Sequence, residues 1–303
     1  MNSYANKRKK RFHIPVFDII NALIMLLVIV IMLYPFLNTV AVSFNDAQDT
    51  LRGGIGLWPR VFSAYSYEMV FRNRLMATAA FNSVARTVLA TVLSVFFAAM
   101  IAYVLSRHEL VGRKFITAYF VVTMYVSAGL IPTYFLIKKL GLLNNFLVYI
   151  FPGMISVFNV IVIKAFILAL PDSLTEAAIV DGAGHFRCFW NVVLPCCKPV
   201  LATVALWCAV GAWNSWFDTF LYAPNADHMT TLQYEMMKLL SSSMQTGRDT
   251  SSIFGNNSQQ ANIITPVSIR AAVTIVASVP ILVVYPFLQK YFVKGVMLGA
   301  VKG

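Results

Sequence analysis

Residues 79–105 read AAFNSVARTVLATVLSVFFAAMIAYVL, and Arg86 is the single charged residue among them. An α-helix rises about 1.5 Å per residue, so a helix of this length crosses a hydrocarbon core of about 30 Å. The run is too long and too uniformly apolar for a strand of a membrane barrel, which alternates apolar and polar residues over about ten positions. It therefore predicts a membrane-spanning helix.

Five further runs of the same kind lie on either side of it, and they are 18–44, 115–138, 146–170, 197–221 and 271–292. The whole chain of 303 residues is 59% hydrophobic and 12% charged, with a mean hydropathy of +0.72. Soluble domains carry about 25% charged residues. No internal repeat divides the chain. The sequence predicts an all-α, polytopic membrane helix bundle with six transmembrane helices in one integral domain.

The net charge of +12 is a topology signal rather than a nucleic-acid signal, because the basic residues flank the apolar runs. The cluster at 7–11 precedes the first run and predicts a cytoplasmic N-terminus. That run has the basic lead of a cleavable signal peptide, but it is longer than a usual signal core, so we expect it to be kept as a span. The expected segments are a cytoplasmic 1–17, a membrane domain 18–292 with external loops 45–78 and 222–270 and a cytoplasmic loop 171–198, and a cytoplasmic tail 293–303.

The cytoplasmic loop has the signals of a helix–turn–helix. Pro171 ends the fourth span, and Ser173 with Glu176 forms a capping-box pattern that predicts a short helix. Gly182 breaks that helix, and a second short helix runs to Leu194-Pro195 with three aromatic residues that we expect to be exposed: Phe186, Phe189 and Trp190. Taken singly, Glu176 is explained as a helix cap and Gly182 as a plain turn.

The combination is more specific than its parts. Glu176-Ala177-Ala178, Asp181-Gly182-Ala183, Leu194-Pro195 and Pro199 stand at spacings that resemble the EAA loop of bacterial ABC importer permeases of the carbohydrate-uptake branch. Further matches are Ala212-Trp213-Asn214, Tyr285-Pro286-Phe287 and the tail from Gly295. The resemblance covers nearly the whole chain. It is greatest to the maltose-type inner subunit, and within that branch to the lipoprotein- and polysaccharide-associated permeases of Gram-positive bacteria.

The resemblance implies a membrane subunit that forms half of a pathway for a carbohydrate, expected to be an oligosaccharide, in the bacterial plasma membrane. Its implied partners are a homologous second permease, two ATPase subunits, an extracytoplasmic solute-binding protein that is a lipoprotein, and the lipid bilayer. ATP and Mg²⁺ would bind the ATPases, since this chain has no Walker sequence, and we expect no cofactor, metal site or enzymatic activity of its own. An ion-coupled carrier working alone and a non-transporting membrane scaffold are the alternatives.

The resemblance also implies two contacts with the ATPases. The coupling loop would contribute Glu176, Ala177, Ala178, Asp181, Gly182, Ala183, Phe186, Leu194 and Pro195. The tail would contribute Gly295, Met297, Gly299 and Lys302. The tail is too short and too rich in glycine to hold a helix alone, yet too apolar for a solvated end. The alternative for the tail is a frayed terminus on the lipid headgroups.

Polar residues inside apolar spans are costly and indicate a pathway. The second span has Asn82 and Arg86 one turn apart, and the candidates near the end of the fifth span are Trp213, Asn214, Trp216 and Asp218. Aromatic faces beside amide and carboxylate groups suit sugars. In the alternative interpretation the tryptophans form an interfacial belt and the Arg86 side chain extends out to the headgroups.

Overall fold

The computed structural model describes residues 16–224, 226–244 and 265–300, and the side chains of all of these except 242–244 and 287–300. In these ranges the secondary structure is helical, apart from an isolated antiparallel bridge between Asn45 and Phe62. The prediction of an all-α fold is confirmed.

Most of the described chain lies in α-helices. In chain order they are α1 (Val16–Ser43), α2 (Ala47–Leu51), α3 (Tyr65–Arg72), α4 (Arg74–Ser106), α5 (Arg113–Tyr125), α6 (Leu130–Lys139), α7 (Val157–Leu168), α8 (Ser173–Val180), α9 (His185–Cys188), α10 (Leu194–Cys196), α11 (Lys198–Asn214), α12 (Phe217–Tyr222), α13 (Leu232–Met244) and α14 (Pro266–Ala300). Two 3₁₀ turns (Phe146–Tyr149 and Asp227–Met229) and one π turn (Phe189–Val193) complete the fold.

In the described part of the chain, three helices are long and apolar enough to cross a membrane alone: α1, α4 and the part of α14 up to Pro286. Three pairs pass the same test together but are bent at a short break: α5 with α6 by 111°, α7 with α8 by 80°, and the segment His185–Cys196 with α11 by 81°. Counting each bent pair as one span gives up to six by length and composition, the number that the sequence predicts, although two of these pairs include helices of the loop 171–198.

The third, fourth and fifth predicted spans are wrong as continuous helices. The third is interrupted before Gly129, whose φ of +86° lies in the left-handed region. In the fourth, helix α7 covers only Val157–Leu168, because Pro152 and Gly153 stand in a turn ahead of it. The fifth ends its helix at Asn214 and restarts at Phe217. The described helices fall largely within these apolar runs, but apolarity gave no sign of their breaks.

Helix α4 is the centre of the bundle and packs against α7 and α11. The part of its buried face that packs against these helices has small residues, since Ala98 and Ala102 are fully buried beside Ile163 of α7 and Val204 of α11. Small side chains let helix backbones approach closely in a membrane, where packing rather than the hydrophobic effect drives association. Because α4 is packed closely against α7 and α11, the polar side chains that it carries are held in fixed positions.

Helix α1 is held at its C-terminal end. Its residues 16–35 are exposed within the described chain, whereas Asn38 donates from Nδ2 to the carbonyl oxygens of Ile55 (2.7 Å) and Gly56 (2.9 Å). One turn further on, the hydroxyl groups of Ser43 and Tyr67 lie 2.8 Å apart. These bonds fasten the segment after α1 to the last turns of that helix.

The segment that follows α1 is ordered by a buried amide. Asn45 donates from Nδ2 to Asp49 Oδ2 over 3.0 Å and accepts main-chain N–H bonds from Arg60 and Val61. Arg60 Nε also donates to Asp49 Oδ2, over 2.9 Å. The segment after α1, which was predicted only as part of an external loop, therefore has a defined structure of its own.

Candidate functional site

Arg86 of α4 and Asp218 of α12 form a bidentate ion pair. Arg86 Nη2 lies 2.6 Å from Asp218 Oδ2 and Nη1 lies 3.3 Å from Oδ1. The arginine side chain is 3% exposed and the aspartate side chain 22%. The guanidinium carbon lies 4.7 Å from the centre of the Tyr149 ring. A planar fork on a carboxylate, covered by an aromatic face, is a directional and specific arrangement.

The same arginine compensates for the break between α11 and α12. Ser215 has an extended backbone (φ −72°, ψ 126°), so the helical hydrogen-bond pattern stops there. Arg86 Nη1 donates to the Ser215 carbonyl oxygen over 3.3 Å. In a bilayer a freed carbonyl needs a partner within the protein, and the arginine provides one. The break and the ion pair are therefore one structural unit.

This unit lies at the wall of an open cleft of about 420 Å³. Backbone segments of α4, α7, α11 and the chain around the Phe146–Tyr149 turn line it. The polar and aromatic residues that line the cleft are Arg86, Ser94, Tyr149, Ser156, Asn159, Trp207, Cys208, Ser215, Asp218 and Tyr222.

Aromatic side chains in the cleft are positioned by other rings. Trp207 is 44% exposed and its ring centre lies 5.6 Å from that of Phe158. Tyr222 is stacked on Tyr134 with centres 6.3 Å apart and planes at 13°. Asn159 donates from Nδ2 to Cys208 Sγ over 3.2 Å. The cleft thus combines oriented ring faces with amide, hydroxyl and carboxylate groups, which suits a polyhydroxylated solute.

A second site is the exposed loop that begins with α8. Glu176, Ala177, Asp181 and Gly182 are exposed there. The helix ends in a Schellman motif: the Gly182 N–H donates to the Ile179 oxygen (2.9 Å) and the Ala183 N–H to the Ala178 oxygen (2.9 Å). Gly182 has φ +80°, so the predicted need for glycine at this turn is confirmed.

The predicted capping box at the start of α8 is wrong. Ser173 is the first helical residue instead of the cap, and the cap residue Asp172 makes no side-chain cap hydrogen bond. Thr175 Oγ1 donates to the Asp172 carbonyl oxygen over 3.0 Å. Because the cap position falls one residue earlier than expected, the Glu176 side chain is left exposed and available to a partner.

The aromatic residues of the loop divide into two kinds. Phe186 is 67% exposed and Trp190 53%, and their rings stack with centres 6.4 Å apart. Phe189 is 2% exposed and packs against Phe96 and Tyr103 of α4. The prediction that all three would be exposed is therefore wrong for Phe189, which anchors the loop to the bundle while the other two face outward.

A known protein family matches most of this chain. The sequence profile of the family described as binding-protein-dependent transport system inner membrane component matches residues 90–298, which include the cleft residues of α7 and α11 and the whole exposed loop. The chain belongs to this family.

Individual relatives agree with the assignment to this permease family. Protein LplC of Bacillus subtilis (strain 168) is 36% identical over 290 residues, 95% of each chain. The polygalacturonan/rhamnogalacturonan transport system permease protein YtcP of the same organism is 35% identical and covers 95% of this chain and 98% of its own. A crystal structure of a bacterial ABC transporter involved in the import of the acidic polysaccharide alginate contains a chain that is 27% identical, with a TM-score of 0.84 over 91% of this permease and 96% of that chain.

The protein is therefore a multi-pass membrane permease subunit of an ABC importer, not an enzyme. The resemblance drawn from the EAA-type loop is confirmed. The alternative of an ion-coupled carrier is not supported.

The six predicted pathway residues of the permease separate in the structure. Arg86 and Asp218 lie together in the cleft, and the alternative in which Arg86 extends to the headgroups is wrong, because its side chain is buried and paired. Asn82 is buried elsewhere: its Nδ2 donates to the carbonyl oxygens of His228 (2.8 Å) and Thr230 (3.0 Å). It holds the Asp227–Met229 turn against α4 and does not line the cleft.

The other three predicted pathway residues also lie outside the cleft lining. Trp213 is 6% exposed and packs against Ala79 and Leu232. Asn214 is exposed and accepts a bond from Gln233 Nε2 over 3.3 Å. Trp216 packs edge-on against Phe217 with centres 5.6 Å apart. At the break, Ser215 and Asp218 line the cleft whereas their neighbours Asn214 and Trp216 do not, a division that the sequence pattern did not show.

Several cleft residues were not predicted: Tyr149, Asn159, Trp207 and Tyr222. Asn159 carried the same signal as Asn82, an amide inside an apolar run, and a search for such amides finds it. The aromatic residues gave no signal that separates them from the many other rings of the chain.

The predicted tail contact is only partly within the described residues. Helix α14 runs to Ala300, so Gly295, Met297 and Gly299 lie on helical backbone, and Lys302 is outside the described residues. The expectation that this segment cannot hold a helix alone stays a prediction, because as far as Ala300 the segment is helical as a continuation of the helix of the last span. In the described ranges there is no group of three metal-ligating side chains.

Proposed function

We propose that this permease forms half of the pathway for an oligosaccharide. One observation carries the proposal: the cleft places the ring faces of Trp207 and Tyr222 beside the amide of Asn159 and the fixed carboxylate of Asp218. Sugars present C–H faces that stack on rings and hydroxyl groups that need polar partners. The names of the relatives support this, since polygalacturonan, rhamnogalacturonan and alginate are all polysaccharides.

The proposed complex contains a homologous second permease, two ATPase subunits that bind ATP and Mg²⁺, and an extracytoplasmic solute-binding protein of the lipoprotein type. The family description, binding-protein-dependent transport, supports the last of these partners. The cleft of this chain is open along one side, which is consistent with a second subunit that completes it.

The proposed contact with the ATPases is the exposed loop from α8 to Pro195. Exposed Glu176 would pair with a basic group, and the stacked rings of Phe186 and Trp190 would fill an apolar groove. Ala177, Ala178, Asp181, Ala183 and Leu194 complete this surface, and Gly182 shapes its turn. Closure of the ATPases would move the loop together with α4, because Phe189 packs against that helix.

The proposed orientation places both termini and residues 171–198 in the cytoplasm and residues 45–78 and 222–270 outside, in a bacterial plasma membrane. Cysteine labelling with an impermeant reagent, in a background without other cysteines, tests it. A cysteine at position 251 should react from outside, whereas cysteines at positions 2 and 302 should react only after permeabilisation. Labelling of either terminus in intact cells would overturn the orientation.

The tail from Gly295 to Lys302 is proposed as a second ATPase contact. Removal of the residues after Lys294 should reduce recovery of the ATPases with the permease while the spans still insert. If the shortened chain transports as well as the intact one, the tail is not an ATPase contact, and the alternative in which it lies on the lipid headgroups is favoured.

The central experiment is a purified complex in lipid nanodiscs, assayed for ATP hydrolysis with neutral and acidic oligosaccharides, amino acids and short peptides. At least one oligosaccharide should stimulate hydrolysis, and Trp207→Ala should reduce that stimulation. Phe81→Ala is the matched control, because Phe81 lies on α4, is 73% exposed and is outside the cleft lining. Stimulation by amino acids or peptides alone would refute the carbohydrate assignment.

A further inference from the structure

We propose that the carboxylate of Asp218 is a subsite for an uncharged sugar unit, which it binds by accepting hydrogen bonds from the sugar hydroxyl groups. Arg86 is the residue that positions this carboxylate. This inference rests on the proposed function of the cleft as a carbohydrate pathway, and it specifies the charge of the unit that this subunit binds.

The exposure of the two partners is unequal. The arginine side chain is 3% exposed, so its guanidinium is turned into the protein, whereas the aspartate side chain is 22% exposed and lines the cleft. The Tyr149 ring, which also lines the cleft, covers the guanidinium, and the Tyr149 hydroxyl is committed to the Met229 carbonyl oxygen over 2.9 Å. A solute in the cleft therefore meets the carboxylate and not the cation.

The carboxylate retains acceptor capacity. Asp218 Oδ1 accepts from Arg86 Nη1 and from the Thr219 main-chain N–H (2.9 Å), and Oδ2 accepts from Arg86 Nη2. A carboxylate offers about four acceptor positions. Among the described residues three of them are used, which leaves one on Oδ2 for a hydroxyl donor. A carboxylate fixed in this way binds a hydroxyl without the entropy cost of first being ordered.

The charge balance of the cleft disfavours an anionic unit at this position. Of the described residues that line it, Arg86 and Asp218 are the charged ones, and they neutralise each other. A uronate carboxylate would approach the exposed edge of Asp218, and two like charges in a poorly solvated site repel. Tyr222, stacked on Tyr134, adds a ring face to the same wall, against which an uncharged sugar ring can lie.

The test compares two probes with the same sugar backbone, a trimer of α-1,4-linked galacturonate and its methyl-esterified form, in which each carboxylate is replaced by an uncharged methyl ester. Binding is measured by calorimetry on the complete permease–ATPase complex in nanodiscs, without the solute-binding protein, so that its own selectivity does not contribute. The esterified trimer should bind the native complex about tenfold more tightly than the free acid, roughly the effect of one charge-assisted hydrogen bond.

Asp218→Asn should reverse that order. The amide is a weaker acceptor, so the esterified trimer should bind about tenfold more weakly. Loss of the negative charge leaves the guanidinium uncompensated, so the free acid should bind more tightly than before. Asp227→Asn is the matched control, because Asp227 is exposed and outside the cleft lining, and it should leave both affinities unchanged.

Arg86→Lys tests the positioning role. Lysine keeps the charge but cannot hold both carboxylate oxygens, so the preference for the esterified trimer should shrink while the complex still assembles. Tighter binding of the free acid to the native complex, or affinities unaltered by Asp218→Asn, would overturn the proposal while leaving the carbohydrate function intact. If neither trimer binds, Asp218→Asn must instead weaken stimulation by a neutral sugar that is active in the hydrolysis assay, and an unchanged response would overturn it. Failure of every oligosaccharide in that assay would refute the carbohydrate function itself.

Discussion

Trp213 Nε1 donates a hydrogen bond to the Ala277 carbonyl oxygen over 2.8 Å, which joins α11 to α14 at a buried point. The acceptor is a main-chain carbonyl within a helix, and Pro280 lies three residues further along. Proline has no N–H to donate to the carbonyl four residues before it, which is that of Val276, so helical bonding is weakened next to the Ala277 acceptor. The indole thus serves helix packing in a region where we had predicted a pathway residue.

Trp213→Phe should reduce stability without altering sugar selectivity. The substitution keeps a ring but removes the donor, and loss of an interhelical hydrogen bond in a membrane costs about 1 kcal/mol. The thermal unfolding of the detergent-solubilised complex measures this loss. Trp58→Phe, in which an 83% exposed side chain is replaced, is the control and should unfold at the native temperature. If Trp213→Phe changes the ratio of the affinities for the galacturonate trimer and its methyl ester, this residue does contribute to the solute pathway.

Gly182→Ala should impair coupling, and Gly184→Ala should not. Both glycines have open space where a Cβ would lie, so neither substitution creates a clash. Gly182 has φ +80° and Gly184 φ −66°, so only the first is strained by a side chain, at a cost of about 1–2 kcal/mol. Sugar-stimulated ATP hydrolysis is the measurement. Equal activity of the two variants would show that the Schellman turn has no part in coupling.

Phe186 and Phe189 should respond in opposite ways to truncation. Phe186→Ala removes an exposed ring and should reduce recovery of the ATPases with little effect on unfolding temperature. Phe189→Ala opens a cavity against Phe96 and Tyr103 and should cost about 3–5 kcal/mol of stability. Pull-down of the ATPases and thermal unfolding, run on both variants, distinguish these effects. Destabilisation by Phe186→Ala would mean that its ring packs within the subunit.

The segment 45–62 should loosen in acid. The hydrogen bond from Asn45 and the pairing with Arg60 hold the pKa of Asp49 below its ordinary value of 3.8, against a smaller opposing effect of burial. A lowered folded-state pKa means that this stabilisation is complete above the unfolded pKa and is lost as pH falls through the folded one. A nitroxide at Leu57→Cys should therefore become more mobile only below about pH 4. In Asp49→Asn the label should be mobile already at neutral pH, and mobility that still depends on acid would implicate another group.

The helical class, the positions of the apolar runs and the turn at Gly182 were predictable from sequence, because each depends on local composition or on the conformational range of one residue. The cleft was not. Arg86 and Asp218 are separated by 132 residues, and only the packing of α4 against the end of the fifth span brings them together. A single sequence contains no record of such pairings.

The errors have identifiable physical causes. Phe189 was expected at the surface because an aromatic residue in a short loop helix gives no sign of which side faces the bundle, and the π turn places it inward. Asn82 was expected in the pathway because a buried amide looks the same whether it binds a solute or the carbonyl groups of His228 and Thr230.

The two hydrogen bonds from Asn38 to the chain around Gly56 fix α1 at one end only. Its C-terminal end is held, whereas the side chains of residues 16–35 are exposed within the described chain and would be covered only by surfaces beyond it. Helix tilt there follows whatever lies alongside, whether lipid or a neighbouring subunit. The emission of a fluorophore attached near residue 25 should therefore change when the complex assembles, whereas the emission of one near residue 40 should not change.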